Sequence, residues 1–117
     1  MWRSSILTEL KGVSKMGKKV RDLKPVHPGE ILREEFLAPL GMSAHALAMA
    51  LRVAATRISE IVHERRGITA ETALRLARYF GTTPQFWMNM QASYDLQVAE
   101  TEIWPEIEAQ VQPRPAA

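Results

Sequence analysis

Between Ser43 and Arg66 the chain gathers short hydroxyl, methyl and guanidinium side chains: Ser43 and Ala44, then Arg52, Ala54, Ala55, Thr56, Arg57, Ser59 and Glu60, then Arg65 and Arg66. These groups suit contact rather than bond-making. A guanidinium donates to the acceptor edge of guanine or to phosphate, a threonine hydroxyl meets a base edge or phosphate, and an alanine methyl packs on the methyl of thymine. Catalytic groupings are not apparent. His27, His45 and His63 are too scattered for a helical metal pair, and no Gly-rich phosphate loop or carboxylate pair with a supporting histidine stands out. No enzyme, metal site or cofactor is expected.

The elements that must position these residues read as two short helices with a tight break between them. Leu47 and Leu51 are four apart and Ile58 and Ile61 three apart, so with Ala48 and Val53 they form the inward faces of two crossed amphipathic helices. Small Ala48 permits close crossing. Ala55, Thr56, Arg57, Ser59, Glu60 and His63 are left outward on the second helix. This is a helix-turn-helix pattern, whose second helix enters the DNA major groove. Ser43 reads as the N-cap of the first helix, and with Ala44 offers backbone N–H groups to a phosphate. Arg52 falls where such turns favour glycine with positive φ, at a cost of about 1 kcal/mol, offset if its side chain meets phosphate.

On the second helix, Ala54, Ala55 and Thr56 occupy the first turn, with Ser59 and Glu60 one turn on. Arg57 is the leading candidate for a guanine or phosphate contact, its competing partner being Glu60 at i+3 or another surface carboxylate. Arg65 and Arg66, beyond the helix, read as phosphate clamps that position without reading sequence. With few long polar side chains on this face, operator shape and deformability are expected to carry part of the specificity.

The rest of the pattern is helical, with five helices expected between residue 28 and about 102. Pro28 and Glu30 suit a first helical turn, and Ile31, Leu32, Phe36 and Leu37 give an inward face before Pro39 and Gly41. Thr69 caps a helix to Phe80 with Ala73, Leu74, Ala77 and Phe80 as its core stripe, and Gly81 ends it. Thr83 and Pro84 open the last helix, where Phe86, Trp87, Met90, Tyr94 and Val98 share a side. Phe86 and Trp87 are assigned to the core, Leu96 and Val98 to a dimer contact. Three segments follow: a flexible basic segment over 1–24, a domain over 25–102, and a frayed tail over 103–117 marked by Pro105, Pro113 and Pro115.

Composition bounds the class. At 117 residues the chain is one domain with tails, and 46% hydrophobic residues with 7% aromatics support a modest core. There is no cysteine, hence no disulfide or thiolate metal site. No apolar run approaches the roughly 18 residues of a membrane span, and no signal peptide pattern opens the chain, so a cytoplasmic location is expected. The net charge of +2 excludes a histone-like protein, but the charge is unevenly spread. Residues 1–24 hold Arg3, Lys11, Lys15, Lys18, Lys19, Arg21 and Lys24 against Glu9 and Asp22; residues 92–117 hold Asp95, Glu100, Glu102, Glu106 and Glu108 against Arg114. A basic head and an acidic tail suit partners of opposite charge. Met16 offers an alternative start.

Four ordered motifs carry a family resemblance: His27-Pro-Gly-Glu-Ile-Leu-Arg-Glu-Glu-Phe-Leu37, Arg57-Ile-Ser-Glu-Ile61, Arg65-Arg-Gly-Ile-Thr-Ala-Glu-Thr-Ala-Leu-Arg-Leu-Ala77 and Phe80-Gly-Thr-Thr-Pro-Gln-Phe-Trp-Met-Asn-Met-Gln91. Over about residues 25–100 the sequence resembles the HigA antitoxins, VapI-type members of the XRE/Cro-like helix-turn-helix group. The resemblance implies a five-helix lambda-repressor-like domain. It also implies an antitoxin that represses its own operon and neutralises HigB, a RelE-like ribosome-dependent mRNA interferase. The expected partners are operator DNA with an inverted repeat, a HigB-like toxin and a second copy of the chain, with half-sites about one helical turn (~34 Å) or a multiple apart. The alternative is a stand-alone repressor with no toxin. Departures from the family are the long basic head, Arg52 at the turn, and Ala54-Ala55 where relatives often carry proline or polar residues.

Overall fold

The computed structural model describes residues 24–116, so the basic segment, apart from Lys24, and the question of Met16 lie outside the described residues. Helix α1 starts as an α-helical turn at Pro28–Ile31, widens to a π-helical stretch at Leu32–Leu37 and closes at Ala38–Leu40. The wide turn stands just before Pro39, which has no amide to donate and whose ring crowds the carbonyl four residues back in α geometry. Then follow α2 (Ala44–Leu51), α3 (Ala55–Val62), α4 (Ala70–Phe80), α5 (Pro84–Glu102) and α6 (Trp104–Gln110). No strand occurs among the described residues, and none of their helices is long and apolar enough to cross a membrane.

Local chemistry explains most boundaries. The hydroxyl oxygens of Ser43, Thr69 and Thr83 accept from the amides of Ala46, Thr72 and Phe86 at 3.0, 3.3 and 3.1 Å, capping α2, α4 and α5. Gly41 and Gly81 end their helices in the left-handed region, at φ 60° and 74°. Helix α1 is capped by His27, whose Nδ1 accepts from the Gly29 amide at 2.9 Å.

The core joins α1 to α5 in one cluster centred on Leu32, Leu47, Ile58, Ile61, Leu76 and the fully buried Trp87. Phe36 packs its ring 4.9 Å from Phe80 and 5.0 Å from Trp87, and the Trp87 indole N–H donates to Thr82 at 2.8 Å. Two sequence expectations need correcting. Leu76 is buried in α4, while Leu74, assigned to the core stripe, is 59% exposed. Both flank the Ala73–Ala77 line at acceptable helical spacing, so periodicity alone does not choose between them. The second correction is a sixth helix, α6, inside the segment expected to fray. Pro105 lies in its first turn, where a missing amide costs nothing, so this proline opens a helix instead of marking its loss.

Candidate nucleic-acid interface

Helix α2 ends at Arg52 in the left-handed conformation, φ 62° and ψ 43°. The Val53 amide then reaches back to the Ala48 carbonyl at 3.0 Å, the six-to-one bond of a Schellman turn. This confirms the backbone geometry expected at Arg52, whose exposed side chain extends outward. Half-buried Val53 packs on the core and fixes the entry to α3.

Helix α3 buries Ile58, Ile61 and Val62 and exposes Ala55 and Thr56, with Ala54 exposed as its N-cap and Arg57, Ser59 and Glu60 half-buried. Ala54 offers no side-chain acceptor, so the amides of the first turn have no side-chain cap. Such amides, with the positive end of the helix dipole, favour an anionic or carbonyl acceptor from outside. Ser43 is exposed, though its hydroxyl is engaged as a cap; Ala44 is half-buried against the core.

The arginines are held by carboxylates. Of the two carboxylate alternatives for Arg57, the structure shows the second: it pairs with Glu71 on α4 at 3.4 Å, while Glu60 pairs with Arg66 at 2.9 Å. Glu71 also takes Arg75 at 3.1 Å. Arg75, through its hydrogen bond, and the charge of Arg57 hold the Glu71 carboxyl below its ordinary range. All of these groups are solvent-exposed or partly so, which makes their ion pairs weak and exchangeable for phosphate. Arg65 is exposed in the loop after α3, where Glu64 adopts positive φ.

Four residues that sequence reasoning did not assign to the site hold it in place. Arg75 donates to the Leu51 carbonyl at 2.9 Å, tying off the end of α2, and Arg33 donates to the Val62 carbonyl, tying off the end of α3. Gln91 accepts from the Ile68 amide at 2.7 Å and donates to Asp95 at 2.9 Å, anchoring the loop that carries Arg65 and Arg66. Gly29 lies so close to α3 that an added Cβ would stand 1.8 Å from the Ile61 carbonyl oxygen. Apart from the Gln91–Asp95 bond within α5, each contact spans 23 or more residues of sequence, so no local pattern discloses it.

A helix-turn-helix family model matches residues 32–87. The chain is 63% identical over 81 residues to virulence-associated protein I of Dichelobacter nodosus, covering 69% of this chain and 75% of that protein. The solved structure of Pseudomonas aeruginosa antitoxin HigA with the higBA promoter is 49% identical with a TM-score of 0.76, over 78% of this chain and 99% of that one. Antitoxin GraA in complex with its operator gives the same identity and TM-score over 80% and 95%. The chain belongs to the HigA family of helix-turn-helix antitoxins. Within this HigA-family domain, α2 and α3 are the helix-turn-helix, and the unassigned anchors Arg33, Arg75, Gln91 and Gly29 form its frame.

Proposed function

We propose that this chain is the antitoxin of a type II toxin–antitoxin module. It binds an inverted-repeat operator as a homodimer, represses its own operon and neutralises a RelE-like mRNA interferase of the HigB kind. The observation that carries the DNA part is the exposed first turn of α3, without a side-chain cap and framed by exchangeable arginines. Its likeness to HigA and GraA chains solved with promoter and operator DNA supports the same part. In this reading Ala54, Ala55 and Thr56 meet base edges, with Ser59 and Glu60 at the margin of the groove. Arg57 exchanges Glu71 for a guanine or phosphate, and Arg52, Arg65, Arg66 and the α2 start at Ser43 and Ala44 hold the backbone.

Co-expression with the product of the neighbouring small reading frame tests the antitoxin part. The expected result is a stoichiometric complex on affinity capture, with growth arrest whenever this chain is withheld. No complex and no toxicity, with operator binding intact, would leave the stand-alone repressor.

A further inference from the structure

Helix α6 is a short amphipathic element with nothing on its outer face. Its seven residues are too few for a stable isolated helix, it has no side-chain cap, and none of its residues is buried. Ile103, Trp104, Ile107 and Val111, spaced three and four apart, are all exposed, Trp104 at 50%. Glu106 and Glu108 stand among them without a cationic partner among the described residues, Glu106 meeting only Gln110 at 3.4 Å. An apolar stripe of this kind implies a seat. Packing α6 against its own copy sets these carboxylates against each other, so the seat must be cationic at its edge.

The same chain carries such a seat. Between α2 and α4 lies a groove lined by Ala50, Leu51, Leu74, Arg75, Arg78 and Tyr79. Leu74 and Tyr79 are exposed there, and Arg78 has no partner among the described residues. The α6 helix of the same chain does not fill this groove, since its principal contacts are with α5, which it follows directly in the chain. We infer that the α2–α4 groove takes the α6 helix of a second copy, reciprocally about a two-fold axis, with Trp104 and Ile107 over Leu74 and the α6 carboxylates beside Arg78. Each copy then supplies one helix and one groove, as an isologous interface requires. The inference rests on the homodimer reading above and puts its contact surface at α6 and the α2–α4 groove in place of Leu96 and Val98 on α5.

The chain has no cysteine, which permits a direct test in the full-length protein. Differently tagged Leu74→Cys and Ile107→Cys variants are mixed, left to exchange subunits and oxidised mildly. The expected product is the mixed disulfide, with far less from either variant alone. In sedimentation equilibrium, Arg78→Glu is expected to raise the dimer Kd about tenfold, and adding Glu106→Arg and Glu108→Arg to bring it back within a few-fold. All three positions are on the surface, and helical content by circular dichroism monitors folding. A dimeric wild type with no mixed disulfide and an unchanged Arg78→Glu constant overturns this interface alone. A monomeric wild type, with and without operator, overturns the homodimer reading with it. Loss of toxin capture by Arg78→Glu with the dimer constant unchanged assigns the groove to the other protein and equally overturns the inference.

Discussion

Arg57 is held by the Glu71 carboxylate 3.4 Å away, and in the proposed reading it exchanges that partner for an operator group. Because the pair is partly exposed, little stability is lost when it opens, and Arg57→Ala is expected to weaken operator binding by about 1–3 kcal/mol with little effect on folding. Fluorescence anisotropy against thermal melting separates the two. Arg65 and Arg66 differ in kind: if both clamp phosphates, replacing them with alanine lowers the slope of log affinity against log salt by about two. A further residue-scale expectation concerns His27. Its Nδ1 accepts from the Gly29 amide, a bond only the imidazole unprotonated at Nδ1 can make, and burial lowers its pKa against the opposing charges of Glu64 and Asp95. The unfolded chain therefore binds the proton more readily, and stability falls as pH drops below the ordinary histidine value of 6.5 toward the lowered one. His27→Asn keeps a cap acceptor that does not titrate. Melting curves between pH 7.5 and 5 should then show a histidine-dependent loss in the wild type that is absent from the variant. At this scale the sequence discloses which short polar and basic side chains the α2–α3 unit leaves on its surface, since Arg52, Ala54, Ala55 and Thr56 are exposed as their spacing predicts. It leaves open which carboxylate pairs with Arg57, because Glu71 is brought near only by folding.

Element boundaries are legible wherever one residue settles them. Ser43, Thr69, Thr83 and Gly81 act within a single turn, and each appears in the structure in the role its type predicts. Long-range fastenings are silent in the sequence: Arg75 to Leu51, Arg33 to Val62 and Gly29 under Ile61 join residues that no periodicity relates. The tightest of these is Gly29. A Cβ at 1.8 Å from a backbone oxygen must drive α1 from α3, so Gly29→Ala is expected to cost about 2–4 kcal/mol in urea unfolding and to weaken operator binding through misplaced helices. Arg75→Met keeps the aliphatic packing but leaves the Leu51 carbonyl without its donor, at about 1–2 kcal/mol. Helix α6 and exposed Leu74 were illegible for one shared reason. Their apolar residues stay largely exposed within the chain, and amphipathic spacing does not say whether the facing surface belongs to the same molecule.

At the scale of the whole molecule, a core of five helices presents one exposed first turn, flanked by cations now paired with carboxylates that the proposed reading has exchange for phosphates. So few long side chains at that turn leave room for indirect readout. Changing the uncontacted centre of the operator while keeping both half-sites should alter affinity, and unchanged affinity would confine recognition to direct contacts. The acidic, apolar α6 follows the C-terminal end of α5, and its exposed apolar side chains suit it to protein contact. The measurement that bears most directly on the account is operator affinity across a salt series, for the wild type and for the Thr56→Ala, Arg57→Ala double variant. The account predicts a linear fall of log affinity with log salt, a strong preference for the inverted repeat over scrambled DNA, and loss of most of that preference in the variant. An affinity indifferent to salt, or a variant that discriminates operator from scrambled DNA as well as the wild type, would contradict the assignment of α3 as the reading element.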